Sequence, residues 1–130
     1  ARSQPTKALD RVDQEQETPM DWKAELDNTT KYTKAFRDIH PEAAKGFTAM
    51  HHAALTQGAL STKDKELQCI AIGIVTHCAD CIGFHVRAAA KAGATREEIA
   101  ETIGVCVMMG GGPAYMYGDK ALEAYDQLIA

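Results

Sequence analysis

The sequence predicts an all-α protein, a compact bundle of about six helices assembled as a homo-oligomer. Three observations carry that reading. Apolar residues recur at helical intervals from Met20 onward. Capping residues and Gly or Pro breaks divide the same stretch into six pieces. The one β-branched apolar run, Leu67 to Val75, has no second strand-like segment to pair with. A chain of 130 residues, 45% apolar and 25% charged, has the length and composition of one globular domain.

Residues 1–19 are polar, lack a periodic apolar face and end at Pro19, so they read as an arm outside a single helical domain spanning 20–130. The first helix carries Trp22, Leu26, Tyr32, Phe36 and Ile39, with Asn28-Thr29-Thr30 as a weak point. Pro41 then suits the first position of a second helix through Phe47, Met50 and Leu55, which Gly58 closes. Ser61 or Thr62 caps a third, whose run Leu67 to Val75 is apolar nearly all round. After a break near Thr76, a fourth runs through Phe84 and Val86 to Gly93. Thr95-Arg96-Glu97-Glu98 is a capping box for a fifth helix through Ile99, Ile103 and Val107. Gly110-Gly111-Gly112-Pro113 breaks it, and Ala114 to Leu128 forms the sixth. A helix apolar on all sides needs more cover than a small monomer supplies, which is the reason to expect self-association.

Charge and cysteine usage narrow the function classes. Fourteen basic against 18 acidic residues give a net charge of −4, with no basic stripe to bind nucleic acid or an anionic membrane. The uncharged apolar run Leu67 to Ala79 is too short and too polar to span a bilayer. No leader-like apolar segment is visible in Ala1 to Met20. Four cysteines are too few for a secreted disulfide scaffold, so a reducing, cytoplasmic setting is expected, where a close Cys pair is redox-active or metal-binding.

The sharpest chemical feature is Cys78-Ala79-Asp80-Cys81 followed by His85. On one helix Cys78, Cys81 and His85 share a stripe, with both thiols in the first turn, where the helix dipole favours a thiolate. A histidine one turn beyond Cys81 can exchange its proton, and a second thiol can resolve what the first forms. Glu66 lies ten residues before Thr76 and His85 nine after it, so a hairpin at that break sets them level as a Glu66–His85–thiol relay. The competing readings are two buried thiols or a zinc site, which lacks a second Cys/His pair, while Ile82 after Cys81 excludes a c-type haem motif. Glu66 has its own bland reading as a solvated first-turn acid. Cys69 and Cys106 read as inert core thiols, and His40, His51, His52 and His77 as surface or satisfied histidines. Met108, Met109, Tyr115 and Met116 read as packing residues.

The pattern Glu66-x11-Cys78-x2-Cys81-x3-His85 resembles the core of the alkyl hydroperoxidase D-like branch of the carboxymuconolactone decarboxylase family, over about Phe47 to Tyr117. The resemblance implies a helical homo-oligomer, trimeric or hexameric, that reduces hydroperoxides with electrons from a thiol or dithiol partner and needs no cofactor or metal. It implies Cys81 as the attacking thiol, Cys78 as the resolving thiol and His85 with Glu66 as the proton relay. The sequence departs from the pattern at Asp80, where some members carry a histidine. An acid there raises neighbouring thiol pKa values, and His77 is the residue placed to compensate. A lyase on the same fold and a redox-sensing oligomer subunit are the alternatives. Mild oxidation is expected to link Cys78 to Cys81 and to leave Cys69 and Cys106 reduced.

Overall fold

The computed structural model describes residues 19–129, and the predicted arm falls, but for Pro19, outside them. Five helical segments follow one another: α1 (Trp22–Ile39), α2 (Pro41–Leu55), α3 (Thr62–Val75), α4 (Ala79–Lys91) and α5 (Arg96–Ile129). The described residues contain no strand. The all-α reading therefore holds.

The fifth segment carries the one departure in element count. It runs on through the glycine break, but Gly111 inside it is not helical (φ 69°, ψ −154°). Arg96 and Asp126 sit at opposite ends of this segment yet pair at 2.8 Å. A straight helix would hold them about 45 Å apart. The chain therefore doubles back at Gly111, a positive-φ position that suits a residue without Cβ. Two antiparallel arms result, corresponding to the fifth and sixth helices expected from the sequence. A Cβ on Gly118 in the second arm would stand 2.5 Å from Ile103 Cγ2 in the first, so the arms are in close contact.

Local signals set most boundaries. Asp21 caps α1 by accepting from Ala24 N–H at 3.0 Å, and the expected weak point at Asn28-Thr29-Thr30 is helical throughout. Pro41 opens α2, where its missing N–H costs nothing. That helix ends at Leu55 rather than near Gly58, because the Thr56 N–H and hydroxyl both bond to the His52 carbonyl. Ser61 caps α3 through Asp64 N–H at 3.1 Å. Thr95 and Glu98 form the reciprocal capping box, each side chain accepting from the other's N–H at 3.1 Å.

The core lies between α3, α4 and the arms of α5, where Ile70, Ile74, Ile82, Val86 and Ile99 are fully buried. Helix α1 is pinned across them at one end. Trp22 is fully buried, its indole N–H donates to Glu123 at 2.7 Å, and its backbone N–H donates to Gln127 at 2.8 Å. A Cβ on Gly83 would come within 2.9 Å of both Trp22 and Leu26, so that glycine sets how closely α1 crosses α4. Helix α2 buries no residue of its own. The apolar run of α3 is divided: Ile70 and Ile74 face inward, while Ile72 and Val75 are 60% and 46% exposed.

Candidate functional site

The site forms where the α3–α4 hairpin closes. Thr76 and His77 turn the chain, His77 at φ 58°, and Cys78 N–H bonds back to the Gly73 carbonyl at 2.9 Å. Cys78 is not on the helix, as the shared stripe required. It is the extended N-cap of α4, and its Sγ accepts from Cys81 N–H at 3.3 Å. Capping changes the direction of its side chain without separating the thiols. The two cysteines, with Cα atoms 5.2 Å apart, are joined as a disulfide, while Cys69 and Cys106 are free.

Glu66 and His85 meet directly, as their level positions across the hairpin predict. Glu66 Oε2 accepts from His85 Nδ1 at 2.6 Å. Glu66 is only 5% exposed, the one charged residue buried to that degree among the described residues. A buried carboxylate needs a partner, and His85 supplies it. Using Nδ1 in this bond fixes the imidazole and leaves Nε2 for proton exchange.

These groups border a cavity of about 770 Å³. Cys81, Phe84, His85 and Ala88 line it from α4, Thr29, Thr33 and Arg37 from α1, Phe47 and His51 from α2, and Glu66 from α3. Cys81 is on that wall; Cys78 is not among the lining residues. Phe84, Phe47 and Ala88 give the wall an apolar middle.

Asp80 faces α1 instead of the thiols' partner histidine. One carboxylate oxygen accepts from Thr29 Oγ1 at 2.8 Å, while the other, Oδ1, is buried without a bond to a donor. A hydrogen bond to Asp80 and repulsion from its charge raise the Glu25 carboxyl above its ordinary range. The acid between the cysteines is thus held by the neighbouring helix. The ring of His77, the residue before Cys78, stacks on that of Tyr117 with centroids 4.3 Å apart.

Two residues that the sequence left out of the site belong to it. His51 is exposed, as expected, but its ring stacks on His85 with centroids 6.0 Å apart and it borders the cavity. Cys69 is half-buried rather than core, and one ligand atom each from Glu66, Cys69 and His85 lies within 4.8 Å of the others. Its spacing of three from Glu66 on α3 was the available signal, masked by the surrounding Ile and Leu. Burial, then the Glu66 charge, pushes the Cys69 thiol up. Ligand atoms of a tetrahedral zinc lie about 3.3–3.8 Å apart. The 2.6 Å contact between Glu66 and His85 is a closed hydrogen bond with no room for an ion between them. The trio therefore fits a proton path better than a metal centre. Cys106 is buried as expected, donates to the Ala71 carbonyl at 3.7 Å and has its pKa raised by burial.

Comparison with known proteins gives the family. The model of the carboxymuconolactone decarboxylase family matches residues 41–124. The chain belongs to that family. A carboxymuconolactone decarboxylase family protein from Legionella pneumophila superposes with a TM-score of 0.82 at 40% identity, covering 84% of this chain and 97% of that one. A Thermotoga maritima family protein, described as a candidate for the antioxidative response, shares the fold with a TM-score of 0.71 at 24% identity, over 80% of this chain and 89% of that one. An uncharacterized protein of Cupriavidus necator is 36% identical over 110 residues, 85% of this chain and 97% of its own length. The matched segment runs from the start of α2 to near the end of α5 and so includes Glu66, both paired cysteines and His85.

Proposed function

We propose that this family member is a thiol-dependent peroxidase of the alkyl hydroperoxidase D-like kind, with Cys81 as the attacking thiol, Cys78 as the resolving thiol and His85–Glu66 as the proton relay. One observation carries the reading: Cys81, His85 and Glu66 line a single cavity, with Cys78 bonded to Cys81 just behind its wall. In the dithiol state, His85 Nε2 takes the proton of Cys81 and the thiolate attacks the terminal oxygen of a hydroperoxide. The O–O bond breaks, the alkoxide collects the proton from His85 and leaves as an alcohol, and Cys81 becomes a sulfenic acid. The Cys78 thiol then attacks that sulfur, forming the disulfide and releasing water. An external dithiol returns both cysteines to the reduced state by exchange. Glu66 holds the imidazole in place and offsets its positive charge while it carries the proton.

The test is stopped-flow consumption of hydrogen peroxide and cumene hydroperoxide with a small dithiol as reductant. Cys81→Ser should reduce consumption to the uncatalysed background, and reduced Cys78→Ser, assayed after removal of the dithiol, should complete a single turnover that ends in the sulfenic acid. Equal rates for wild type and Cys81→Ser would remove this reading.

A further inference from the structure

The cavity beside Cys81 is far larger than hydrogen peroxide requires. At about 770 Å³ it falls within the range that accommodates whole organic ligands. Its wall is also ordered along one helix. Cys81, Phe84, Ala88 and Lys91 follow one another at spacings of three, four and three on α4, which places them on a single stripe. The thiol is at one end, an ammonium at the other, and apolar surface lies between. Arg87 is beside this stripe, its guanidinium 5.4 Å above the Phe84 ring. From Cys81, the axial rise to Arg87 is about 9 Å and to Lys91 about 15 Å.

The charges on this wall are uneven in a way that the whole chain is not. The protein carries a net −4, yet Arg37, Arg87 and Lys91 all border the cavity. None of the three pairs with a carboxylate among the described residues, whose ion pairs are Lys34–Asp38, Lys63–Glu98, His85–Glu66 and Arg96–Asp126. Of the two acids on the same wall, Glu66 is bonded to His85, and Asp80 accepts from Thr29 through one oxygen while its other oxygen is buried without a donor. Apolar wall and unpaired cations together favour a ligand with an acyl chain and an anionic end.

We propose that the cavity binds an organic hydroperoxide bearing a carboxylate, with the acyl chain along Phe84 and Ala88, the carboxylate at Arg87 and Lys91, and the peroxide at Cys81. This names the substrate class of the peroxidase reading and rests on it. The reaction is the one given above, with the hydroxy acid as the product alcohol.

Two measurements on the reduced full chain separate the two ideas. The first compares kcat/KM for a medium-chain carboxylic acid hydroperoxide with that for its methyl ester, below the micellar concentration of each. The second needs no turnover: protection of Cys81 from iodoacetamide by decanoate is compared with protection by methyl decanoate. The acid should be favoured at least tenfold in both, and the preference should shrink as salt is added. In Arg87→Gln/Lys91→Gln, whose substitutions are both at exposed positions, the acid-to-ester ratio should fall to within twofold of unity. Equal protection by acid and ester in wild type overturns the carboxylate site, even when hydrogen peroxide is turned over. Carboxylate-selective protection without turnover of any hydroperoxide overturns the peroxidase reading and leaves the carboxylate site in place.

Discussion

Glu66, His85 and the four thiols differ in chemistry because they differ in surroundings. The carboxylate of Glu66 is buried and bonded to His85 at 2.6 Å, so its replacement changes the imidazole as much as the charge. Glu66→Gln should slow peroxide turnover by about tenfold, and His85→Ala by about a hundredfold or more, the range general acid–base groups contribute. Circular dichroism distinguishes this from unfolding. After reduction, Cys81 should be alkylated by iodoacetamide at neutral pH, and His85→Ala should slow that labelling. Cys69 and Cys106 should stay unlabelled there, because burial pushes both thiols up, with the Glu66 charge adding to the effect at Cys69. Peptide mapping across a pH series reads all the thiols together. Glu25 supplies the pH prediction for stability. Its pKa is raised by the bond to Asp80 and by that residue's charge. The folded state thus holds the Glu25 proton more tightly than the unfolded chain. The favourable contribution is full below the ordinary carboxylate range and is lost as pH climbs through the raised value. Glu25→Gln, which cannot ionise and can still donate to Asp80, should raise Tm at pH 7 and raise it less at pH 4, as followed by thermal melts.

At the scale of elements, two glycines and one capping box set the geometry around the site. Gly83 lets α1 cross α4 closely enough for Trp22 and Leu26 to cover it, and a Cβ there meets both side chains at 2.9 Å. Gly83→Ala should destabilise the fold by about 1–3 kcal/mol, the usual cost of overpacking. It should also disturb the Thr29–Asp80 contact one turn away on the same helix pair. Gly111 needs its positive φ to reverse α5, so Gly111→Val should cost more than Gly112→Val, where φ is not positive and the space is open. Thr95→Ala removes one half of the reciprocal cap and should cost about 1 kcal/mol. Chemical denaturation of the variants measures each of these.

At the scale of the whole molecule, the described residues leave many large apolar side chains exposed. Ile72, Val75, Val105, Met108, Met109 and Met116 are all exposed, and α2 buries nothing of its own. A homo-oligomer that covers these faces is the expected state, and sedimentation at micromolar concentration should find no monomer. Ile72→Lys, at a position 60% exposed in the single chain, should shift that equilibrium towards smaller species. Among the described residues no helix is long and apolar enough to cross a membrane.

Much of this was legible in the sequence because it depends on local spacing. Helix starts at Pro41, Ser61 and Thr95 follow from signals that act within one turn. The disulfide pair and the level placement of Glu66 and His85 follow from a short hairpin, whose register counting residues can give. What periodicity could not supply depended on which faces meet. Cys78 left the helix because the turn at His77 made it a cap. Cys69 joined Glu66 and His85 because α3 turned that edge towards α4, although its apolar neighbours made it look like core. Asp80 found Thr29, 51 positions away, only because Gly83 admits α1 against α4. The cavity with its three cations gathers side chains from α1, α2, α3 and α4. The sequence by itself determined the helices, the Cys78–Cys81 pair and the meeting of Glu66 with His85, since their partners are near in the chain. The tertiary structure alone decided the cavity and the setting of Asp80 and Cys69, because contacts between distant segments arise from packing.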